Sequence, residues 1–157
     1  MSPTVDLVRE LDRARVPYDL IPHERTMTAL AEARAVGAEP QDVAKTVVLE
    51  SEDGFVRAVL PASERIDLQK VRELLQTRQV ELATEATLAG AYPDFELGAV
   101  PPLGGPTNDP VLVDRRLTKC AAVVFEAGRH DESVRLKPDD LVAVTGATVA
   151  DICADSD

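Results

Sequence analysis

Residues 43–61, VAKTVVLESEDGFVRAVLP, decide the fold of this chain. Two apolar, β-branched runs flank Glu52-Asp53-Gly54, a sequence typical of a hairpin turn. The first run, Val43 to Glu50, and the second, Phe55 to Leu60, are therefore predicted to pair as antiparallel strands. Pro61 ends the second strand, because proline has no N–H to donate to a sheet.

Helices and short strands are predicted on both sides of this hairpin. Apolar residues at helical spacing follow Ser2-Pro3, and a late helix begins at Pro138. Three further helices are predicted to begin after capping residues, Thr28, Asp67 and Thr84. The remaining strands are predicted at Pro17–Ile21, Val80–Ala83, Val111–Asp114, Ala121–Glu126 and Ser133–Leu136. Hairpins mixed with scattered helices predict an α+β domain with a mixed sheet, not a βαβ series.

The length and composition predict one domain. The chain has 157 residues, 45% of them apolar, which suffices for one core. We expect a single compact domain over residues 1–157, with an acidic C-terminus that frays from about Asp151. No run reaches the roughly 18 apolar residues of a membrane span, and the N-terminus lacks the apolar core of a signal peptide. We therefore expect a cytoplasmic protein.

The charge balance limits how this chain can bind nucleic acid. Acidic residues outnumber basic ones by 28 to 17, which gives a formal net charge of −11. Proteins that bind nucleic acid by broad phosphate neutralisation are normally basic. Any such contact is therefore expected to be local. The candidate bases are Arg57, Arg65, Arg115, Arg116 and Lys119.

The residues that could bind a metal are scattered. Cys120 and Cys153 are the only cysteines, and they form no CxxC motif. They also lack the nearby histidines of a zinc site. We therefore expect no metal and no cofactor.

Lys45 is the first candidate functional residue. It shares strand parity with Val43, Val47 and Leu49, so it is the single charge on an otherwise apolar face. Burial of a lysine without a partner costs free energy. An exposed lysine at a strand edge also explains the pattern and is the commoner case, so the sequence leaves both interpretations open.

A loop and two histidines provide further candidates. Residues 98–110, GAVPPLGGPTNDP, are too rich in glycine and proline for a helix or a central strand. Free amide N–H groups in such a loop can bind an anion or an oxyanion, although structural loops of this composition are common. His23 has a pKa suited to a general base or a substrate contact, but a surface histidine is the simpler interpretation. His130 lies in a predicted turn and is interpreted as inert.

The order of four segments resembles one protein family. AKTVVLE, VLPASERIDLQKVRELL, GAVPPLG and LKPDDLVAVTG follow one another between about Tyr18 and Thr145. In this order they resemble the YbaK-like aminoacyl-tRNA deacylases, which include the editing domain inserted in bacterial prolyl-tRNA synthetases. The resemblance implies a compact α+β domain around a mixed, partly closed β-sheet with surrounding helices.

The resemblance also implies an activity and a set of site residues. Members of the family hydrolyse the ester that joins a wrong amino acid to tRNA, here a small one, without a metal. The family's strand lysine matches Lys45, and its GxxxP motif matches Gly98 to Pro102, so Lys45, Gly98 and Pro102 are the expected catalytic positions. The expected substrate contacts are His23, Ala99, Val100, Pro101 and Asp114. The expected partners are the acceptor end of tRNA and an aminoacyl-tRNA synthetase. A non-catalytic domain of the same fold, which binds a small ligand or a synthetase, remains the alternative.

Overall fold

The computed structural model describes residues 3–105 and 109–155. The α-helices in these ranges are α1 (Pro3–Arg13), α2 (Ala29–Val36), α3 (Leu68–Leu75), α4 (Glu85–Ala91) and α5 (Pro138–Thr145). The strands are β1 (Tyr18–Pro22), β2 (Ala44–Ser51), β3 (Gly54–Pro61), β4 (Val80–Leu82), β5 (Val111–Asp114), β6 (Val123–Arg129), β7 (Glu132–Leu136) and β8 (Thr148–Ala150). No helix in these ranges is long and apolar enough to cross a membrane.

The strands form two sheets. The larger sheet has the order β4-β2-β3-β5-β8, and the smaller has the order β1-β7-β6. The larger sheet is mixed, because β2 and β3 pair antiparallel whereas β3 and β5 pair in parallel. The predicted α+β domain is therefore confirmed. Where one partly closed sheet was expected, the structure has two, which meet at a single bridge between Val43 and Val124.

The β2–β3 hairpin was predicted correctly, and its two faces pack differently. Its register pairs Lys45 with Leu60. Ala44 and Val59 belong to the main core, which contains α1 and the smaller sheet. Leu49, on the opposite face, packs in a second cluster with α3. Burial on both faces explains why this segment reads as a nearly continuous apolar run.

The helix boundaries also follow the predicted capping residues. The Thr28 side chain accepts from the N–H of Ala31, and Asp67 and Thr84 accept from the first turns of α3 and α4. The predicted cap at Ser2 lies outside the described residues. Local capping chemistry therefore sets these helix starts, as the sequence indicated.

The expected fraying from Asp151 is wrong for the residues described. Ile152 and Cys153 are fully buried, and β8 pairs with β5 just before them. Backbone bonds also hold this segment, since Asp67 N–H donates to the carbonyl of Ile152. An acidic composition suggested a solvated tail, but the two apolar side chains dock it against α3 and β5.

Candidate active site

A cavity of about 200 Å³ opens where the two sheets separate. Val43, just before β2, forms a bridge with Val124 of β6. Beyond this bridge, residues 44–47 of β2 and residues 125–126 of β6 line the cavity together with α2. The cavity brings together three of the predicted site residues, Lys45, Gly98 and Val100.

Lys45 is half-buried and is the only cationic side chain among the described residues that line this cavity. Its ammonium group forms no hydrogen bond or ion pair with any residue in the described ranges. Burial lowers the pKa of Lys45, and the nearby Cys153 and Glu64 oppose part of that shift. An ammonium group in this position can bind an anionic or polarised oxygen of a ligand.

Two backbone N–H groups of the GAVPP segment are unused. Gly98 and Val100 line the cavity, and neither N–H donates to a residue that the structure describes. The N–H of Ala99, between them, donates instead to the carbonyl of Glu96 at 3.0 Å. Gly98 has a φ of +83°, a conformation that favours glycine. Unbonded backbone donors beside a cavity are suited to stabilise an oxyanion.

Arg57 binds the backbone of the same loop. Its guanidinium donates to the carbonyls of Pro101 at 3.0 Å and of Gly104 at 2.6 Å. It also lies 3.4 Å from a carboxylate oxygen of Asp109 and 4.9 Å from the ring centre of Tyr92. Arg57 is only 2% exposed, so its expected contact with tRNA is wrong. Its charge orders the loop backbone instead.

The other predicted site residues lie outside the cavity lining. Pro102 lines a neighbouring cavity of about 300 Å³ beside Arg57. Asp114 is fully buried, and its carboxylate accepts from the backbone N–H groups of Arg116 and Ile152. These bonds give Asp114 a structural role at the end of β5.

Two buried glutamates line the cavity that contains Lys45. Glu32 of α2 is 1% exposed, and Glu126 of β6 is 9% exposed. Burial raises the pKa of Glu32 to about 7, although a hydrogen bond with Ser133 lowers it in part. Burial, and then the charges of Glu32 and Glu96, raise the pKa of Glu126 to about 9. At neutral pH, Glu126 is therefore protonated and Glu32 is close to its midpoint.

His23 is connected to Glu32 through one hydroxyl group. Its Nδ1 lies 2.6 Å from the carbonyl oxygen of Glu24, and its Nε2 lies 2.9 Å from Oγ of Ser133. The same Oγ lies 2.6 Å from Oε2 of Glu32. Ser133 is fully buried, whereas His23 is half-buried. The chain of contacts therefore leads from the protein surface to the cavity wall.

His130 supports the first residues of the loop. Its Nε2 donates to the carbonyl of Leu97 at 2.6 Å, and its ring lies 3.5 Å from where a Cβ on Gly98 would be. Its Nδ1 lies 2.8 Å from Oε2 of Glu126 without an aligned hydrogen bond. His130 does lie at the predicted turn, but it is 2% exposed, so the turn is packed against the site.

Sequence reasoning missed Glu32, Glu126 and Ser133. The signal for Glu126 was present, because it is the single charge inside the apolar run VVFEA, as Lys45 is inside VAKTVVL. Glu32 carries no such signal, since a glutamate is ordinary in the first turns of a helix. No group of three or more potential metal ligands was found within residues 3–105 and 109–155.

The chain is similar to known proteins over most of its length. The sequence model of a family described as the aminoacyl-tRNA editing domain matches residues 23–144. A protein of Enterococcus faecalis, provisionally named as a Cys-tRNA(Pro)/Cys-tRNA(Cys) deacylase, is 24% identical over 149 residues. The match covers 92% of this chain and 90% of that relative.

Two crystal structures are similar over almost the whole chain. One, provisionally described as a trans-editing enzyme for prolyl-tRNA synthetase, is 28% identical with a TM-score of 0.86 and 99% coverage of both chains. Another, described only as a hypothetical protein, is 25% identical with a TM-score of 0.88. That match covers 95% of this chain and 99% of the other.

Proposed function

The chain belongs to the aminoacyl-tRNA editing domain family, and we propose that it is a trans-editing hydrolase that removes a small, wrongly attached amino acid from tRNA. One observation supports this proposal above the others. Lys45, which is unpaired, lines the same small cavity as Gly98 and Val100, whose N–H groups are unused. Cations and backbone donors around a dry cavity stabilise the negative charge that develops during acyl transfer.

The reaction is hydrolysis of the ester between the amino acid and the terminal ribose. Water adds to the ester carbonyl carbon, and the carbonyl oxygen becomes an oxyanion. The N–H groups of Gly98 and Val100 bind this oxyanion, while Lys45 binds the carbonyl oxygen or the terminal phosphate. The intermediate then collapses as the bond to the ribose oxygen breaks, and that oxygen takes up a proton. No metal is required, because positioning and electrostatics supply the catalysis.

The size of the cavity supports a small acyl group. Its volume of about 200 Å³ is below the roughly 300–1,000 Å³ of typical ligand sites. Val47, Val100 and Phe125 provide apolar walls. Alanine, cysteine and proline all have side chains that suit such walls, and one methylene changes binding by only about 1–3 kcal/mol. The Enterococcus faecalis relative, by its name, acts on cysteinyl-tRNA, so cysteine belongs in the substrate panel.

The surface charge supports a limited contact with tRNA. The net charge of −11 disfavours broad phosphate binding. Arg65, Arg115 and Lys119 are exposed and remain candidates for the acceptor end, whereas Arg116 is bound to Asp114 and Asp151. A synthetase would then supply the rest of the tRNA affinity. Such a reaction belongs in the cytoplasm, where tRNA is charged.

Replacement of Lys45 by alanine tests the proposal. We expect deacylation of a mischarged tRNA to fall about 100- to 1,000-fold, the usual cost of losing one such electrostatic group. The assay follows the loss of labelled amino acid from tRNA(Pro) and other tRNAs charged with alanine, cysteine or proline. Lys137→Ala, which removes an exposed lysine at the start of α5, serves as the control and should retain the wild-type rate.

The outcomes of this assay separate the two functions considered. A wild-type rate for the Lys45 variant would remove that residue from the mechanism. No hydrolysis of any charged tRNA by the folded wild-type protein would refute the hydrolase and favour a non-catalytic module that binds a small ligand or a synthetase.

A further inference from the structure

Ser133 contacts both His23 and Glu32, and the protons on these three side chains decide which group donates in each contact. Nδ1 of His23 must carry a proton, because the carbonyl of Glu24 at 2.6 Å can only accept. Oγ of Ser133 contacts both Nε2 of His23 and Oε2 of Glu32, but it has a single proton to donate. One of its two neighbours must therefore donate to it.

With three protons shared among the three side chains, two arrangements satisfy every contact. In the first, Glu32 is ionised and accepts from Ser133, while His23 is doubly protonated and donates Nε2–H to Oγ. In the second, Glu32 is protonated and donates to Oγ, while Ser133 donates to Nε2 of a neutral His23. Both arrangements hold the same number of protons. A shift of protons along the two hydrogen bonds interconverts them.

The three side chains extend from the cavity to the protein surface. Glu32 lines the cavity that contains Lys45 and Gly98. Its second oxygen, Oε1, forms no hydrogen bond with any described residue. Ser133 is sealed from solvent, and His23 at the far end is half-buried. A carboxylate with one oxygen held by Ser133 and the other free in the cavity has the layout of a general base.

We infer that Glu32 is the general base that takes a proton from the attacking water, and that Ser133, itself in contact with His23, positions the carboxyl group of Glu32. The inference rests on the proposed hydrolysis. The water oxygen bonds to the ester carbon as one of its protons moves to the free Oε1 of ionised Glu32. The protonated Glu32 then gives this proton to the ribose oxygen as the bond from that oxygen to the carbonyl carbon breaks. Glu32 is thereby ionised again, and the second proton of the water leaves with the carboxyl group of the amino acid.

The groups around Glu32 are compatible with this role. Glu126 of β6 and Lys45 of β2 are the other ionisable groups that line the cavity. Burial keeps Glu126 protonated at neutral pH, so it adds no negative charge beside Glu32. The raised pKa of Glu32, about 7, is close to the value at which a general base works best near neutrality.

The pH dependence of deacylation tests the inference. The rate of the wild-type protein, after subtraction of spontaneous ester hydrolysis, should rise with pH through the titration of Glu32, near its pKa of about 7, and then level off. Glu32→Gln should lose about 100-fold or more in kcat, as is typical for removal of a general base, and its residual rate should lack this rise. Glu32→Asp keeps the carboxyl group and should retain the rise at a reduced rate.

Ser133→Ala tests the positioning of Glu32. It keeps the carboxyl group of Glu32 but removes the hydroxyl group that holds Oε2, so it should lower kcat and leave KM nearly unchanged. The hydrogen bond from Ser133 lowers the pKa of Glu32 in part, so the rise of the rate with pH should also move to higher pH in Ser133→Ala. Glu24→Gln removes an exposed carboxylate beside His23 and should change neither the rate profile nor the activity.

The results distinguish failure of the inference from failure of the proposed function. An active wild-type protein whose Glu32→Gln variant keeps the same rate and pH profile would overturn the role of Glu32. An unchanged kcat and pH profile in Ser133→Ala would overturn the positioning role of Ser133. Inactivity of the folded wild-type protein on every charged tRNA would instead refute the proposed hydrolysis.

Discussion

Replacement of Arg57 by methionine removes the group that holds the GAVPP loop while keeping an unbranched apolar stem in its place. The guanidinium is 2% exposed and donates to the carbonyls of Pro101 and Gly104. Methionine fills much of the same space, so the loss of packing is small. The variant therefore reports mainly on the two hydrogen bonds and on the buried charge.

The expected loss of stability follows from those contacts. A hydrogen bond to a charged group contributes about 1.5–3 kcal/mol, so the two bonds correspond to about 3–6 kcal/mol. Removal of the guanidinium also removes the cost of burying it, which offsets part of this loss. We expect the free energy of unfolding to fall by about 3–5 kcal/mol, within the range observed when buried charged contacts are broken. Each kcal/mol lowers Tm by about 2–4 °C in a protein of this size.

Urea unfolding and steady-state deacylation measure the two consequences. Below the unfolding transition, Arg57→Met should lower kcat more than it raises KM, because the loop that carries Gly98 and Val100 loses its anchor but the cavity walls remain. Arg57→Lys should lie between the variant and the wild type, since an ammonium group cannot bind both carbonyls as the guanidinium fork does. Arg34→Met removes an exposed arginine and controls for the loss of charge.

A small effect of Arg57→Met on stability and rate would refute the role of Arg57 as a positioning residue. An unfolding free energy within about 1 kcal/mol of the wild type, with an unchanged kcat, would show that the loop does not depend on these two bonds.

Three other measurements address the loop at Gly98, the raised pKa of Glu126 and the tRNA contact. Gly98→Ala places a Cβ at a φ of +83° and should cost about 1–2 kcal/mol in urea unfolding and slow deacylation. A Cβ at Gly90 would meet no atom within 4 Å, so Gly90→Ala should stabilise α4 by about 0.5–1 kcal/mol. Equal effects of Gly98→Ala and Gly90→Ala on stability would contradict this prediction. The raised pKa of Glu126 means that the folded state binds its proton more tightly than the unfolded state does, so this group's contribution to stability should decline as pH rises from about 4.5 to about 9. Glu126→Gln should remove most of that decline in unfolding measurements. Parallel curves of unfolding free energy against pH for the two proteins would contradict this assignment to Glu126. In a salt series, the dissociation constant for tRNA should change with a shallow slope, equivalent to fewer than about four phosphate contacts, and a steep slope would disprove limited contact.

The strands and helices could be predicted because their signals are local. The β2–β3 hairpin follows from two apolar runs around Glu52-Asp53-Gly54, and Thr28 and Asp67 start helices through bonds to the next turn. Strand β8 was missed because three residues carry too little pattern to be recognised. Its pairing with β5 depends on contacts made across the chain.

The site was only partly predictable. Lys45 was identified as a single charge on an apolar strand face, and the resemblance singled out Gly98. Neither observation shows that the two residues share a cavity, because they lie 53 positions apart in sequence. Arg57 carries the same local signal as Lys45, yet it binds backbone carbonyls and not a ligand. A charge in an apolar strand thus indicates that a partner exists, and the sequence does not say which one.

The sequence by itself determined the α+β class, the central hairpin, the helix starts and Lys45 as the first candidate, because periodicity, turn chemistry and capping act over a few residues. Only the tertiary structure decided that the sheets separate beyond the Val43–Val124 bridge and leave a cavity there. It also decided that Glu32 lies 2.6 Å from Ser133, a residue 101 positions away, and that burial raises its pKa. Burial and proton sharing depend on which distant segments meet, and so they arise only when the chain has folded.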